Sequence, residues 1–500
     1  MMPSLPRRAL CALMSLALVL GSQAARAEGL PELGDSSAAA FSPHAERKVG
    51  EQIFNDVRTR EPTYVGDPEI GSYLNAVGGR MAAQVPGGIA DFTGPRGFEF
   101  FALRDATLNA FAMPGGYIGV HTGLLLSAQS ESELASVLAH EISHVTQRHI
   151  ARSFNASGMS QMAMLLALAV AIMAARSNPD VAMGAAMAGQ AAAIQNKLNY
   201  SRDFEREADR VGVQLLERSG FDVRAMPSFF NRMLKFGALY DNNAPAYLRT
   251  HPLTTERIAA IEDRIAVAPP RPVGDSLEFL LVRAKVRVLS MPAREAIAEF
   301  TSRLRAAEPI ETLVARYGLT RAHLADGELA QAAAEAAQVA RLASEQRQRS
   351  PMLDTLQAEI RLAQGHVGEA VALLDNAVAH YPREPAINYL AMDAYLRAGR
   401  NDDALRLSRE YLTVNPDDPL MHAAQAKTYA RLNRPLEEHR AQAESYLLLG
   451  QLPRAIEQLE LAQRANAGGF HENAQVDARL RELKARHLEQ MKASRRDPGS

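Results

Sequence analysis

A chain of 500 residues is too long for one ordinary hydrophobic core, so two or three domains are expected. Its 55 basic side chains nearly balance its 57 acidic ones, so no global field attracts nucleic acid and nucleic-acid binding is excluded as a leading function. The chain has no Trp and only 6% aromatic residues, which favours helices over β-sheets, because β-rich chains depend on aromatic and β-branched residues.

The N-terminus has the order of a cleavable signal peptide. Arg7 and Arg8 precede an apolar run over 9–20, and an Ala-x-Ala sequence ends at Ala27. The run is too short to span a membrane comfortably, so we expect residues 1–27 to be removed. The only cysteine lies within that segment, and the exported protein is therefore expected to form no disulfide. This export signal suggests a bacterial envelope protein, with the periplasm as its expected location.

Beyond the signal peptide, the sequence patterns predict both helices and strands. Over 41–85, apolar residues such as Val49 and Ile53 recur at helical spacing and predict two helices. Over 98–120 the apolar pattern shortens and gains Gly and Pro, which predicts a small group of strands. A long helix is then expected over 130–151. The first half of the chain should therefore combine helices with one small sheet.

The strongest chemical motif is His-Glu-Ile-Ser-His at 140–144, in the middle of that long helix. Side chains at i and i+4 of a helix share a face, so His140 and His144 can converge on one cation, and this spacing suits zinc. Glu141 can reach a water beside the metal and act as general base. The motif therefore predicts amide hydrolysis without a covalent intermediate.

A third metal ligand has several candidates: His149, His251 and the acids of a second helix, expected from Ser201 to Gly220. We favour Glu205, because it shares a helix face with small residues that permit close approach to the motif helix. The two other candidates remain open on spacing alone.

Two further acids lie on the second helix. Asp209, one turn beyond Glu205, could hold the second nitrogen of a ligating histidine or assist proton delivery. Glu207 points in another direction and is expected to be solvated.

Two stretches rich in Met, Ala and Leu, at 159–175 and 181–194, follow the motif helix. A mobile lid near the cleft is the favoured interpretation, because Met-rich surfaces adapt to varied apolar partners. A buried helix pair and a short membrane helix are the alternatives. Peripheral association with a membrane is therefore kept open.

The second half of the chain has an internal repeat. Pro351, Pro385 and Pro419 are 34 residues apart, as are Gly365 and Gly399. A period of 34 residues is typical of tetratricopeptide repeats, each of which is a pair of helices. We expect four or five helix pairs, stacked into a curved array.

His140, Glu141, His144, Glu205 and Asp209 together resemble the pattern of the M48 metallopeptidases, in which HExxH is followed by a glutamate ligand and an aspartate four residues beyond. The resemblance implies one Zn²⁺ per chain held by the two histidines and the glutamate, with Glu141 and Asp209 as catalytic residues. The signal peptide and the repeats make the chain similar, over nearly its entire length, to the family's periplasmic branch.

The resemblance also implies where a substrate lies and how the enzyme is restrained. The stretch from Asn109 to Gly116, followed by Tyr117, is similar to the family's strand bordering the active-site cleft, to which an extended substrate can add through backbone hydrogen bonds. In that branch a histidine in a His-Pro sequence can occupy the zinc's open position. His251 precedes Pro252 and is the expected regulatory fourth ligand.

The expected organisation has four parts: a signal peptide (1–27), an M48 peptidase domain (28–265), a linker with a connecting helix (266–305) and a tetratricopeptide-repeat domain (306–490). The fold class is mainly α, with a small β-sheet in an α+β catalytic domain, followed by an all-α array.

The leading functional hypothesis is a periplasmic zinc endopeptidase and chaperone in quality control. The resemblance implies unfolded or misassembled outer-membrane β-barrel proteins as clients, and their assembly machinery as a partner of the repeats. The second hypothesis is a repeat-based chaperone or binding module with a latent zinc site. A zinc hydrolase of peptidoglycan peptides ranks last, because it gives the repeats no special use.

Overall fold

The computed structural model describes residues 42–93, 97–153, 202–238, 246–266, 273–305, 308–465 and 467–496. The expected signal peptide and the two Met-rich stretches lie outside these residues. Among the described helices, none combines the length and the apolar character needed to cross a bilayer.

Two helices begin the described chain, as the apolar spacing predicts. Their bounds are Pro43–Arg60 (α1) and Pro68–Ala82 (α2). Each begins with a proline behind a polar residue, Ser42 or Asp67, whose side chain accepts backbone N–H bonds of the first turn. The apolar face of α2 packs into the main core, where Ile70 is fully buried.

A four-stranded sheet in the order β1-β2-β4-β3 lies beside these helices. Its strands are Tyr64–Val65 (β1), Glu99–Leu103 (β2), Ala110–Met113 (β3) and Tyr117–His121 (β4). A short helix, Ala90–Thr93 (α3), precedes β2, and a 3₁₀ turn, Pro114–Gly116, connects β3 to β4. The strands predicted over 98–120 are confirmed, whereas β1 is too short to leave an apolar pattern in the sequence. β2 and β4 are parallel, and β3 pairs antiparallel with β4. Within the described sheet, β3 therefore forms a free edge.

The helix that bears the metal-binding motif is shorter than predicted. Three helices follow β4, over Thr122–Ser127 (α4), Glu131–Thr146 (α5) and His149–Ser153 (α6). The expected continuous helix to residue 151 is wrong, because Arg148 has a left-handed φ of 51° that interrupts the helical path between α5 and α6. Every residue of α5 is buried, so this helix runs through the interior of the catalytic half.

The second predicted helix packs directly on α5. This part of the chain forms helices over Arg202–Arg218 (α7), Ala225–Ala238 (α8), Ala246–Thr250 (α9) and Thr255–Ile265 (α10). Gly220, with a φ of 76°, follows α7 in the conformation expected of a helix-closing glycine. A Cβ atom at Gly212 would lie 3.3 Å from the backbone nitrogen of His140. The absence of a side chain at this position thus permits the predicted close approach of α7 to α5.

The segment between the catalytic half and the repeats is packed into the core. It forms two helices, Leu277–Leu289 (α11) and Ala293–Arg303 (α12). Phe279 and Leu281 on α11 are fully buried in the same apolar cluster as Ile70 of α2 and Leu138 of α5. These helices therefore connect the two halves through packed apolar surface.

A helical array follows, as the 34-residue period predicts. Its ten described helices are Pro309–Ala325 (α13), Leu329–Glu345 (α14), Pro351–Ala363 (α15), Val367–His380 (α16), Pro385–Arg397 (α17), Asn401–Val414 (α18), Pro419–Arg431 (α19), Pro435–Leu448 (α20), Leu452–Ala465 (α21) and Phe470–Arg496 (α22). Gly327, Gly365 and Gly399 lie in the turns within the first three helix pairs, with φ values of 79°, 79° and 73°. Glycine occurs at these turns because it adopts the left-handed conformation without steric cost.

Candidate active site

Helix α5 directs the two motif histidines to one point. The Nε2 atoms of His140 and His144 lie 3.0 Å apart, and both rings are fully buried. Glu205 of α7 reaches the same point, with its Oε2 3.5 Å from Nε2 of His140 and its Oε1 3.5 Å from Nε2 of His144. The close packing of α7 on α5 at Gly212 makes this approach possible.

His251, directly after α9, joins the same cluster. Its Nδ1 lies 3.0 Å from Oε1 of Glu205 and 3.4 Å from Nε2 of His140. One ligand atom from each of these residues and from His144 falls within 4.8 Å of the others. Tyr247 of α9 stacks on the His251 ring with centroids 4.6 Å apart. Tyr247 was missed by sequence reasoning, although its position four residues before His251 is a usable signal.

The chemistry of this cluster fits a zinc ion. Zinc in proteins binds imidazole nitrogens and carboxylate oxygens, and the cluster offers both in a buried pocket. Burial lowers the pKa of His140, but hydrogen bonds to Asp209 and Glu205 outweigh burial and raise this pKa to about 9. Burial raises the pKa of Glu205, but His251 and His140 outweigh it and hold this pKa well below its ordinary value. The electrostatics of the pocket therefore favour a positive charge at this point.

Glu141 lies beside the cluster in a fully buried position. Burial raises the pKa of its carboxyl group above the ordinary value, and this effect outweighs the nearby His251 and His140. Neither carboxylate oxygen is in a well-formed hydrogen bond within the described residues. Nε2 of His251 lies 3.5 Å from Oε1 of Glu141. The carboxylate is thus available to a small polar molecule at the cluster.

Asp209 and Arg257 contact the cluster residues His140 and Glu205. Oδ1 of Asp209 lies 3.0 Å from Nδ1 of His140. Arg257 of α10 binds Asp209 through two nitrogens, at 2.7 and 2.8 Å, and places Nη1 2.7 Å from Oε2 of Glu205. Arg257 was not among the site residues predicted from the sequence. The one signal in the sequence is an arginine at the beginning of a helix that follows a candidate ligand.

A second histidine pair lies on the far side of His144. Nδ1 of His149 is 2.8 Å from Nδ1 of His144, and Nε2 of His149 is 3.0 Å from Oε2 of Glu207. His149 is fully buried and lies behind a cluster ligand instead of in the cluster itself. Glu207 points away from the cluster, as expected, but it is only partly solvated, because His149 and Arg152 of α6 bind this side chain, which is 27% exposed.

The free edge of β3 runs beside Glu141. The backbone nitrogen of His121 donates to the carbonyl of Asn109 at 3.0 Å, and antiparallel pairing alternates bonded with non-bonded residue pairs. Ala110 and Ala112 therefore fall in non-bonded pairs, and their N–H and C=O groups point away from β4. The backbone of Ala112 lies close enough to Glu141 to lower the pKa of its carboxyl group, against the larger effect of burial.

The three candidate substrate-strand residues take different places. Asn109 is buried directly before β3, and Gly116 has a φ of 89° in the 3₁₀ turn after it. Tyr117 begins β4, one strand in from the edge, and stacks on Phe54 of α1 with centroids 4.9 Å apart. The backbone of β3, and not the Tyr117 side chain, thus forms the edge beside the cluster.

Comparisons with known proteins identify the family of this chain. The description "Peptidase family M48" matches residues 72–265, and a tetratricopeptide-repeat description matches 361–428. The chain is 30% identical over 485 residues to "Beta-barrel assembly-enhancing protease" of Escherichia coli (strain K12), with 95% of each chain covered. It is 31% identical over 456 residues to "Putative beta-barrel assembly-enhancing protease" of Vibrio cholerae, covering 91% of this chain and 92% of that protein.

A more distant likeness is confined to the catalytic half. The chain is 32% identical over 162 residues to "Mitochondrial metalloendopeptidase OMA1" of Arabidopsis thaliana, which covers 32% of this chain and 30% of that protein. The likeness along almost the whole chain to the bacterial proteins is therefore the informative one. This chain belongs to the family of β-barrel assembly-enhancing proteases, which are M48 zinc metalloendopeptidases that carry tetratricopeptide repeats.

Proposed function

We propose that the chain binds one zinc ion with His140, His144 and Glu205 and cleaves peptide bonds at that site. The observation that carries this proposal is the buried cluster in which the ligand atoms of these residues and of His251 lie within 4.8 Å of one another. Zinc, when bound there, lowers the pKa of a water molecule to about 7 and polarises a carbonyl group.

Glu141 is the general base of the proposed reaction. Its carboxylate accepts a proton from the attacking water and delivers it to the leaving amine, so the peptide bond breaks without a covalent intermediate. The raised pKa of this buried group supports the role, because a raised pKa favours uptake of the proton from water. Asp209 keeps His140 oriented through Nδ1, and Arg257 keeps Asp209 in place.

The edge of β3 is the proposed substrate strand. An extended peptide that pairs with the partly exposed Ala112 gains backbone hydrogen bonds that do not depend on its side chains, whereas Ala110 is fully buried in the resting protein. Such pairing places the peptide backbone alongside Glu141 and supports broad specificity. Asn109 and Gly116 border this strand at its two ends, and Tyr117 supports it from the neighbouring strand.

His251 restrains the enzyme in this proposal. Its ring lies between Glu205 and Glu141, with contacts of 3.0 and 3.5 Å, and so stands where water and substrate must reach the general base. The backbone nitrogen of Tyr247 also donates to the carbonyl of Leu108, directly upstream of the β3 edge. Movement of α9 would therefore free both the fourth ligand position and the adjoining end of the strand.

The proposed setting is the periplasm, and the proposed clients are unfolded or misassembled outer-membrane β-barrel proteins. Support comes from the names of the full-length bacterial relatives and from the repeat array, a fold that commonly presents a concave surface to protein partners. The array would hold the client or its assembly machinery while the zinc site cleaves clients that fail to assemble.

A second function, that of a repeat-based chaperone with a latent zinc site, is favoured by one observation. His251 is only 2% exposed and contacts both Glu205 and Glu141, so the resting protein holds its reaction site closed. In this second function the repeats assist assembly, and proteolysis is occasional.

The deciding experiment measures zinc content and casein cleavage for the mature protein. Wild type is compared with Glu141→Gln and His251→Ala. All three proteins should retain about one zinc ion, because neither substitution removes a residue of the three-ligand set. Glu141→Gln should not cleave casein, and His251→Ala should cleave it faster than wild type.

The two functions are separated by the His251→Ala result. A zinc-loaded variant that cleaves no faster than wild type would argue for the chaperone with a latent site. Absence of zinc from wild type and both variants would overturn the metal site itself. A surface histidine variant, His366→Ala, controls for nonspecific effects of losing an imidazole, because this residue lies in the repeat array and its side chain is 51% exposed.

A further inference from the structure

His149 reaches His144 only because the chain turns between them. A residue five positions along a continuous helix faces a different side from the first, so the two rings would not meet. The left-handed φ of 51° at Arg148 breaks the helix after α5 and begins α6 at His149. Nε and Nη2 of Arg148 both bind Oε1 of Glu46 in α1, Nε at 2.9 Å, which holds the turn against the neighbouring helix.

The hydrogen-bond geometry assigns one proton arrangement to this pair. Nε2 of His144 faces the cluster, so a metal-binding His144 carries its proton on Nδ1. That N–H points at Nδ1 of His149, 2.8 Å away, which must then act as acceptor. The proton of His149 is consequently on Nε2, where it is donated to Oε2 of Glu207 at 3.0 Å. In this series of hydrogen bonds from His144 to Glu207, each donor nitrogen therefore meets an acceptor.

The His149 ring is also held by packing that does not involve the cluster. It stacks on Phe204 of α7 with centroids 4.5 Å apart and an angle of 10° between the rings. Arg152 lies over the same Phe204 ring, with its guanidinium carbon 4.5 Å from the centroid, and donates to Glu207 at 2.9 Å. The acceptor nitrogen of His149 is therefore fixed in place by α6 and α7 together.

The two motif histidines thus have chemically different partners. Nδ1 of His140 meets a carboxylate, Asp209, at 3.0 Å. Nδ1 of His144 meets an imidazole, and the carboxylate stands one residue further out, at Glu207. A partner on the outer nitrogen of a metal-binding histidine fixes its tautomer and ring orientation.

We propose that His149 is a positioning residue, which accepts the Nδ1 proton of His144 and, held by Glu207, keeps Nε2 of His144 aimed at the metal. The inference rests on the zinc site proposed above. His149 contacts neither the metal nor the substrate, and its effect on catalysis passes through His144.

Two substitutions separate hydrogen bonding from packing at this position. His149→Phe keeps an aromatic ring for Phe204 but removes the acceptor. His149→Asn loses the ring but can place its Oδ1 near the position of the imidazole Nδ1. The measurement is zinc affinity, by competition with a chromophoric chelator, for both variants and wild type. Loss of a partner of this kind weakens metal affinity roughly 10–100-fold.

The expected result is a weakening of roughly 10–100-fold in His149→Phe and substantial recovery in His149→Asn. Equal affinity in His149→Phe and wild type would overturn the inference, because a packing role needs only the ring. Equal weakening in the two variants would also overturn it, because an acceptor at position 149 would then restore nothing. Wild type that binds no zinc would instead overturn the proposed metal site, so the two failures are distinguishable. Unfolding temperatures in chelator check that each variant folds without metal.

A second pair of variants tests Glu207, the partner of His149. These variants also test the inference if the protein does not fold with a substitution at position 149. Glu207→Gln retains an oxygen that can accept from Nε2 of His149, whereas Glu207→Leu retains none. Zinc affinity should fall more in Glu207→Leu than in Glu207→Gln. Equal zinc affinity in Glu207→Leu and wild type would contradict the role given to the hydrogen bond between His149 and Glu207.

Discussion

At the scale of single residues, the site contains buried charged side chains, and ion pairs between them offset the free-energy cost of their burial. Glu205 and Asp209 are almost completely buried, and Arg257 is the cation that both contact, itself 4% exposed. An unpaired buried charge costs several kcal/mol, whereas a fully paired group costs much less. Arg257 therefore stabilises the two acids that hold and orient the proposed ligands.

Replacement of Arg257 by leucine should lower the free energy of unfolding by about 3–5 kcal/mol, because Asp209 loses two hydrogen bonds and stays buried. Chemical denaturation in the presence of chelator measures this change. Arg264→Leu, an exposed arginine on the same helix, is the matched control and should change stability by less than about 0.5 kcal/mol. Similar small changes in both variants would contradict the role given to Arg257.

At the scale of elements, two close approaches define the cleft. Helix α7 comes near enough to α5 for Glu205 to meet both motif histidines, and the glycine at 212 permits that distance. The edge of β3 lies beside Glu141, where the backbone of Ala112 lowers the pKa of the Glu141 carboxyl group. A change in the distance between α7 and α5 would separate Glu205 from the motif histidines, and a change in the position of β3 would separate the substrate strand from Glu141.

Ala112→Pro tests the substrate strand. Proline is tolerated at a strand edge whose N–H faces outward, but it removes the donor that an extended peptide would use. KM for a long peptide substrate should rise roughly 2–10-fold, the equivalent of one hydrogen bond. Ala112→Gly keeps the amide and should leave KM near the wild-type value. An unchanged KM in Ala112→Pro, with zinc retained, would exclude pairing of the substrate with this residue.

At the scale of the whole molecule, the catalytic half and the repeats share one core. The main apolar cluster extends from α2 through α5 and α11 into α13 and α15. Glu69 of α2 adds a buried polar link: it contacts Lys285 of α11 at 2.6 Å, Arg321 of α13 at 3.3 Å and the hydroxyl of Thr355 on α15. The beginning of the array is thus fixed to the catalytic half.

The array also contacts the catalytic half near its other end. Arg58 of α1 donates to the carbonyl of Leu448, at the end of α20. Gly450, just after α20, lies against Asn55 of α1. The two halves are therefore expected to unfold together.

Calorimetry should show one unfolding transition for wild type. Glu69→Leu should lower its free energy of unfolding by about 1–3 kcal/mol, because Lys285 and Arg321 each lose a buried partner but keep Asp67 and Glu359. The transition should also begin to separate into two. Glu345→Leu, which breaks an exposed pair with Arg341 in the array, should cost less than about 1 kcal/mol. Two transitions in wild type would contradict a shared core.

The amino-acid sequence determined the features that depend on local periodicity. The i, i+4 spacing of His140 and His144 places both on one helix face, and the 34-residue period produces the array, because each pattern acts within one element or between neighbours. The small strands and the two first helices followed from apolar spacing in the same way. The choice of Glu205 also used local information, namely the small residues on its helix face.

Only the tertiary structure decided the contacts between elements far apart in the chain. It placed His149 beside the outer nitrogen of His144, joined Arg257 to Glu205 and Asp209, partly covered Glu207 and placed Tyr117 one strand in from the edge of the sheet. Each outcome depends on how a helix or strand is oriented against another one, and no period along the chain encodes such an orientation. The break at Arg148 shows why: one left-handed residue, held by Glu46 of a distant helix, redirected the chain after the motif.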